Sequence, residues 1–291
     1  NWDRKKMLLS GIRDVVNSEL EGRTRNYIWR KTPSQTTVIG LWFDTSMSPG
    51  MPPPQYYIGS IGTATQLKQS TDGGLYHGPS VSPSEKYLRR ITTQANAVAA
   101  LPMNVLLCDY LLFYPFIDEG TVDEQFLVNN NTLPRYIDGK GVQIMAIMTN
   151  AGAGGQQFFV NYTNSEGVSG RISQTVTMNT STAVGTVVSS NRVANGSSDP
   201  FIGLQNGDVG VRSIESITML GSDTGLFSLV LVKPLVQTCF REIQVAYEKD
   251  FLIPTSNIVK IEDDAFLGFL CLPLGSLAAT VLRGDLKVIW N

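Results

Sequence analysis

Short apolar runs separated by clusters of turn-forming residues dominate the second half of the chain. Several short strands with regular turn signals are typical of a β-sandwich or a jelly roll. The pattern over Gly210–Leu235 also predicts a hairpin that turns at residues 221–225. The six runs, rich in Val, Ile, Phe, Tyr and Thr, are Val142–Met148, Gln157–Tyr162, Arg171–Met178, Thr186–Val193, Val211–Leu220 and Leu226–Val232.

The first 140 residues mix helical and strand patterns. An amphipathic helix that ends near Gly22 is predicted by the spacing of Leu8, Leu9, Ile12, Val15, Val16 and Leu20. A second helix is predicted between the N-cap Ser84 and Pro102, because one helical face would carry Leu88, Ile91, Ala95 and Val98. Val105–Ile117 is a nearly continuous apolar run, which predicts a fully buried strand.

These patterns predict a mainly β chain, with an antiparallel β-sandwich or jelly-roll-like fold and one or two helices in the N-terminal part, α+β overall. We divide it into an N-terminal arm or helix (residues 1–31), a mixed α+β part (32–140) and a β-sandwich part (141–291). Two arrangements of the last two parts remain open. They form one continuous domain, or the sandwich is inserted into a domain built from both chain ends. The apolar run before Asn291 predicts that the C-terminal segment joins a sheet.

Composition and charge narrow the classes of function. The chain has 291 residues, of which 16% are charged, and a formal net charge of -2. Soluble globular chains carry about 25% charged residues, and interface cores are depleted of charge, so this composition suits a subunit covered by others. The positive charge is concentrated in residues 1–31. The whole chain lacks the basic excess that nucleic-acid or anionic-membrane binding requires.

The three cysteines and the lengths of the apolar runs indicate the compartment. Cys108, Cys239 and Cys271 are far apart and form no CxxC pair, so we expect buried thiols in a reducing compartment. The apolar runs are much shorter than the ~20 residues that cross a bilayer. Since only Met7–Leu9 follows the charged N-terminal residues, no signal peptide is predicted, and we expect a soluble chain made inside the cell.

Sequence signals for catalysis are absent. His77 is the single histidine, and it lies in a Gly-Pro loop without a GxSxG motif. Asp223-Thr224-Gly225 matches the tripeptide of aspartic proteases, but the chain has no second copy and turn chemistry explains the residues. Gly152–Gly155 lacks the Gly-Lys-Ser/Thr of a P-loop. We therefore expect no enzyme, no catalytic residues and no cofactor.

Acidic and aromatic groups are further candidates for binding sites. Loop carboxylates suit hard cations, but no spacing matches a calcium loop in Asp118-Glu119, Asp123-Glu124 or Glu262-Asp263-Asp264. Solvated loop faces are favoured, and no metal site is predicted. The pairs Tyr56-Tyr57 and Phe158-Phe159 have rings that stack on sugars, but within a strand one member of each pair is expected to face the core.

The chain resembles the virion proteins of tailed bacteriophages. The resemblance rests on the arm-like Asn1–Lys31, the Pro/Gly-rich loop Met47–Pro54 and the Ser/Thr/Asn/Gly-rich segment Gly141–Leu235. It implies a non-enzymatic subunit that decorates or stabilises a capsid, with tail or adaptor components as alternatives. It also implies trimers or higher rings, contact with a major capsid protein, and location in the virion after synthesis in the host cytoplasm. Neither a membrane nor a nucleic acid is an expected partner.

Aromatic residues are the predicted assembly contacts, because such residues are enriched at protein interfaces. The predicted contact residues are Trp2, Tyr27, Trp29, Tyr56 and Tyr57. One alternative function is a carbohydrate- or receptor-binding β-sandwich of a fibre, tail or adhesin. A second alternative is a hydrolase on a β fold, which requires two converging carboxylates in a cleft.

Overall fold

The computed structural model describes residues 11–179, 183–188, 199–252 and 258–291. Strands make up 44% and helices 5% of the structure, which confirms the mainly β prediction with one or two helices in the N-terminal part. The helices are α1 (Ile12–Leu20) and α2 (Gln69–Asp72). In chain order the strands are β1 (Thr24–Lys31), β2 (Phe43–Asp44), β3 (Gly50–Met51), β4 (Thr65–Gln66), β5 (Lys86–Ala95), β6 (Met103–Asp118), β7 (Gln125–Phe126), β8 (Gln143–Asn150), β9 (Gln157–Asn164), β10 (Arg171–Ile172), β11 (Val176–Thr177), β12 (Val211–Met219), β13 (Leu226–Phe240), β14 (Tyr247–Asp250), β15 (Val259–Ile261), β16 (Phe266–Leu272) and β17 (Leu282–Trp290).

The described strands form three antiparallel sheets. The central sheet has the order β2-β16-β6-β13-β8, with β4 beside β6. The terminal sheet, built from strands near both ends of the chain, has the order β14-β5-β17-β1-β3, with β15 beside β5. The small sheet has the order β10-β9-β12-β7, with β11 beside β9. These sheets give a β-sandwich-like architecture.

The central sheet is organised by its two longest strands, β6 and β13. They pair from Leu226–Asp118 at one end to Phe240–Met103 at the other. Nearly all of β6 is buried, as its continuous apolar run predicts. A register shift near Leu111 resets the alternation, so that Leu107 and Leu112 face the same side of the sheet. This side is long enough to receive the other two sheets.

The core lies on both faces of the central sheet. At the Met103 end of β6 the terminal sheet packs against it, through residues that include Leu88, Ile91, Leu286 and Val288. At the Asp118 end the small sheet packs on the same face, through residues that include Phe158, Val160, Ile214 and Ile217. The opposite face is covered by loop residues, among them Trp42, Met47, Tyr57, Leu67 and Val187. Within the described ranges, the sheets thus pack on one another without a long helix. No described helix is long and apolar enough to span a membrane.

The predicted helix between Ser84 and Pro102 is wrong, because this segment forms strand β5. Its pairing with β17 shifts by one residue between Leu88 and Arg90. A bulge of this kind adds one residue to the alternation, so Leu88 and Ile91 both face inward although they are three positions apart. That spacing imitates one helical turn, which explains the error.

The predicted hairpin over Gly210–Leu235 is also wrong. Strand β12 belongs to the small sheet and β13 to the central sheet, so residues 221–225 cross between two layers. The amide of Asp223 donates to the Glu119 carbonyl over 3.1 Å, and the amide of Glu119 donates to the Gly225 carbonyl over 3.2 Å. A crossing of this kind uses the same turn residues as a hairpin, so the local sequence does not distinguish them.

The three parts predicted for the chain are interleaved in the structure. Residues 24–31 form β1, between β17 and β3 in the terminal sheet, and are therefore part of a sheet rather than of an arm. Every sheet combines strands from before and after residue 140. The terminal sheet takes its strands from residues 24–95 and 247–290, that is, from both ends of the sequence. The C-terminal strand β17 lies inside this sheet.

Candidate interaction surfaces

Two of the predicted contact residues are buried inside the chain. Trp29 is only 2% exposed, and its ring lies 4.8 Å from that of Phe269, between the terminal and central sheets. Tyr57 is fully buried and packs edge-on against Phe113. Both are therefore core residues, and their prediction as assembly contacts is wrong. Local sequence shows that an aromatic residue is present but not which side of a sheet receives it.

The other three predicted contacts have different positions. Tyr56 is 53% exposed, and so it is available to a partner. Tyr27 is half-buried, with its ring edge-on to Tyr76 at 5.1 Å. Trp2 lies outside the described residues. In the pairs Tyr56-Tyr57 and Phe158-Phe159 the second and first members, respectively, are buried, which confirms the expected division.

Buried Tyr57 belongs to a hydrogen-bond network around Asp44. The hydroxyls of Tyr57 and Tyr110 donate to the Asp44 carboxylate over 2.9 and 2.7 Å, and the amide of Ser46 donates over 3.0 Å. Burial raises the pKa of Asp44, while these donors oppose the rise. The carboxylate is enclosed in the core, and the network holds the loop after β2 against the central sheet.

His77 is also fixed in the interior. One ring nitrogen, Nε2, lies 2.9 Å from the Ala265 carbonyl, and Nδ1 lies 3.2 Å from Nζ of Lys86. Burial, followed by the Lys86 charge, lowers the pKa of His77 to about 4. The ring is neutral at pH 7, so Nε2–H donates to Ala265 and Nδ1 accepts from Lys86. Both nitrogens thus hold the loop that contains the Gly-Pro sequence.

The Asp223-Thr224-Gly225 segment encloses a different carboxyl group. Glu119 is fully buried, and its two carboxylate oxygens have no hydrogen-bond partner among the described residues. Burial, with smaller contributions from Asp223 and Asp118, raises the pKa of Glu119 to about 7. Gly225 has a φ of 149°, and a Cβ there would collide with the Glu119 side chain. Gly225 thus permits close packing of this crossing.

The structure locates the three cysteine thiols and the acidic groups that were candidate cation ligands. Cys108 and Cys271 are buried, Cys239 is half-buried, and all three are free. Burial raises the pKa of each of these thiols. Within the described ranges, no group of three His, Cys, Asp or Glu side chains is arranged to hold a metal ion.

The outer face of the terminal sheet carries two opposed arginines. Arg30 of β1 and Arg283 of β17 lie directly opposite each other, and both are exposed. Like charges in this position repel each other. Arg283 donates to the amide oxygen of Gln94 over 2.7 Å, but neither arginine forms an ion pair in the described chain. We name Ile28, Arg30, Met51 and Arg283 the arginine face.

Apolar surface surrounds these two charges. Ile28 is 84% exposed and Met51 is 70% exposed, and Met51 is the cross-strand neighbour of Arg30. A groove of about 520 Å³ beside Arg30 is lined by Arg30, Thr32, Pro33, Ser34, Pro49, Gly50, Ala278 and Ala279. The arginine face therefore combines uncompensated positive charge with a mostly nonpolar groove.

A loop at the far end of β6 has the opposite charge. We name residues 118–126 the acidic loop. The Gln125 side chain closes it by accepting from the Asp118 amide over 3.0 Å and donating to the Asp118 carbonyl over 2.8 Å. Asp118, Asp123 and Glu124 are exposed, and none forms an ion pair in the described chain. No lysine or arginine occurs between Arg90 and Arg135.

The acidic loop ends in an exposed aromatic residue. Phe126 is 76% exposed on β7, at the margin of the small sheet. Thr63 pairs in parallel with Val128, which places Ile61 beside Phe126. Since Ile61 and Val128 are 78% and 52% exposed, apolar side chains adjoin the carboxylates here as well.

A polar cleft of about 580 Å³ lies elsewhere, beside the loop that contains residues 199–208. Its lining includes Gln143, Gln174, Phe201, Gln205, Asn206 and Asp208. The Gln174 side-chain oxygen is buried without a partner in the described chain. Asp208 is already bound by Arg171, over 2.9 Å, and by the Tyr162 hydroxyl, over 2.6 Å.

Sequence interpretation missed the arginine face and the acidic loop as surfaces. Strand alternation around Trp29 does place Ile28 and Arg30 on the side opposite the buried ring. Only the register with β17, which is distant in the chain, places Arg283 opposite Arg30. No family model matches the chain, and neither curated proteins nor solved structures show a match.

Proposed function

We propose that the chain is a non-enzymatic structural subunit of a virus particle, which decorates or stabilises a capsid through protein–protein contacts. The observation that supports this most is the arginine face, where Arg30 and Arg283 repel each other without a carboxylate partner among the described residues. Beside them Ile28 is 84% exposed. Exposed apolar surface next to uncompensated charge is typical of a protein-binding face.

The scaffold is suited to this role. The strands at both ends of the chain lie inside one sheet, and that sheet packs on the central sheet through a large apolar cluster. Surfaces that lie on paired strands are already ordered before a partner binds. Binding to them therefore loses less conformational entropy than binding to a flexible segment. A capsid subunit with preformed faces assembles without refolding.

The direct test is to locate the chain in purified virus particles. Quantitative mass spectrometry is expected to find it in many copies per particle, and a particle reconstruction is expected to place it against the major capsid protein. An abundant chain in infected cells that is missing from the purified particles would overturn the proposal.

The cleft supports carbohydrate binding as a second candidate function. Amide side chains such as Gln143 and Gln174 donate to and accept from sugar hydroxyls, and Phe201 offers a ring for stacking. A glycan array followed by calorimetry tests this. Gln174→Ala is expected to weaken binding of any array hit at least tenfold, whereas Gln157→Ala on the small sheet leaves it unchanged. The absence of any binding glycan would reject this candidate.

A further inference from the structure

We propose that the arginine face of one copy binds the acidic loop of a second copy, in a head-to-tail contact. This inference rests on the proposed function, because it specifies how the structural subunits contact each other. The partner is a second copy of this chain, and the contact joins two different surfaces of the same protein.

Charge complementarity is the first argument. Several other charged side chains around the outer face of the terminal sheet are neutralised within the chain: Arg90 lies 3.1 Å from Asp285, and Lys287 lies 2.7 Å from Glu19. No carboxylate in the part of the chain that the structure describes neutralises Arg30 or Arg283. The acidic loop offers Asp118, Asp123 and Glu124, which have no cationic partner within the same described ranges. Arginine and carboxylate form strong bidentate hydrogen bonds, so the arginines of one surface complement the carboxylates of the other.

The apolar side chains provide the second argument. Phe126 projects from the acidic loop, and the groove beside Arg30 is lined by Pro33, Pro49, Ala278 and Ala279. The groove, with a volume of about 520 Å³, is larger than a phenyl ring. Aromatic residues that enter a pocket contribute much of the binding energy at protein interfaces. Arg30 lines this groove, where its guanidinium also attracts an aromatic face.

The positions of the two surfaces exclude a contact within one copy. The terminal sheet packs at the Met103 end of β6, whereas the acidic loop begins at Asp118, at its other end. Trp29, next to Arg30, packs on Phe269, which pairs with Leu107 of β6, and the 11 positions from Leu107 to Asp118 span about 35 Å at ~3.3 Å each. A contact between unlike surfaces of two copies is heterologous, and it repeats until it closes a ring or extends a chain.

A small anion is a less complete occupant of the arginine face. Phosphate or sulfate would neutralise Arg30 and Arg283 but would leave Ile28 and the groove exposed to water. The acidic loop of a second copy covers both. The residues of the N-terminal segment, 1–10, are the remaining occupant to be tested.

Charge reversal tests the contact. We would make Arg30→Glu/Arg283→Glu on the arginine face and Asp123→Lys/Glu124→Lys on the acidic loop, and measure mass by sedimentation velocity. Wild type is expected to self-associate, more weakly in high salt. Each variant alone is expected to associate about 100-fold more weakly, because like charges then face each other. An equimolar mixture of the two variants is expected to associate again, since each provides one intact surface.

Matched controls and further variants complete the test. Lys140→Glu and Glu166→Lys alter exposed charges outside both surfaces and are expected to associate like wild type. Phe126→Ala is expected to weaken association at least tenfold. Circular dichroism melting verifies that every variant is folded.

Distinct outcomes overturn the inference and the proposed function. Unchanged association of either charge variant, or a mixture that stays monomeric, overturns the head-to-tail contact. Association that is lost on deletion of residues 1–10 but kept in both charge variants assigns the groove to that segment and also overturns it. If the wild-type chain does not self-associate, the head-to-tail contact is overturned. The proposed function is then still tested by the particle experiment alone. Self-association of a chain that is absent from particles overturns the proposed function instead.

Discussion

Arg135 holds Asp109 in the interior through two parallel hydrogen bonds, Nε to Oδ2 over 2.8 Å and Nη2 to Oδ1 over 2.7 Å. The same guanidinium donates to the carbonyls of Leu67 and Tyr110. Asp109 is fully buried on β6, between the stretches of that strand that meet the terminal and small sheets. The pair therefore joins the two halves of the core to a loop.

Arg135→Leu is expected to lower the free energy of unfolding by about 3–5 kcal/mol, because it leaves the Asp109 carboxylate buried without a cation. Urea unfolding measures this loss. The double variant Arg135→Leu/Asp109→Leu is expected to lose less than the sum of the single variants. Lys140→Ala, which removes an exposed partner of Asp138, is the control and is expected to change stability by less than about 0.5 kcal/mol. An additive double variant would contradict the coupling.

Glu119→Gln is expected to stabilise the protein at high pH. Burial raises the pKa of Glu119 from 4.5 to about 7 in the folded state. Between these values the unfolded chain releases its proton first, so stability falls as pH rises and the loss is complete above pH 7. The shift corresponds to about 3 kcal/mol. Urea unfolding at pH 5 and pH 8 is expected to show similar stability for both proteins at pH 5 and a more stable variant at pH 8.

The control for this pH effect is Glu124→Gln, which changes an exposed carboxylate of the same acidic loop. Its stability is expected to follow the wild-type pH dependence. A Glu119→Gln variant that loses stability equally at both pH values would show that the Glu119 carboxylate is not the source of the slope.

Gly284→Ala is expected to destabilise the terminal sheet. Gly284 lies opposite Trp29, and a Cβ there would collide with the Thr92 carbonyl and lie 2.9 Å from Cζ2 of Trp29. Overpacking of this kind costs about 2–3 kcal/mol. Gly221→Ala is the matched control, because its nearest new contact is an ordinary 3.6 Å to Gln156. Thermal melting of both variants tests this, and equal melting temperatures would contradict it.

Trp29→Ala and Tyr56→Ala distinguish core from surface aromatic residues. Trp29 fills the space between two sheets, so its removal is expected to lower the free energy of unfolding by about 3–5 kcal/mol. Tyr56 is 53% exposed, so its removal is expected to change stability by less than about 0.5 kcal/mol. Urea unfolding compares the two, and a larger loss at Tyr56 would reverse the assignment.

Strands whose burial is visible in the pattern of their own residues were predictable from the sequence. The long apolar run of β6 needed no partner to be identified, because a strand buried on both faces leaves no polar alternation. The runs that became β8, β9, β12 and β13 were bounded by Gly, Asn and Ser, which end strands through their own turn preferences. Strand content and most strand positions therefore followed from local chemistry.

What only the tertiary structure decided is how distant segments pair. The apolar residues of β5 have a helix-like spacing because the strand contains a bulge near Arg89. That bulge arises from the pairing of β5 with β17. The crossing at residues 221–225 depends on which sheet accepts β12 and which accepts β13. Arg30 and Arg283 form one surface only through the register of β1 with β17. Sequence periodicity records which residues share one side of a strand, whereas the buried side and the partner strand are selected by packing between residues far apart in the chain.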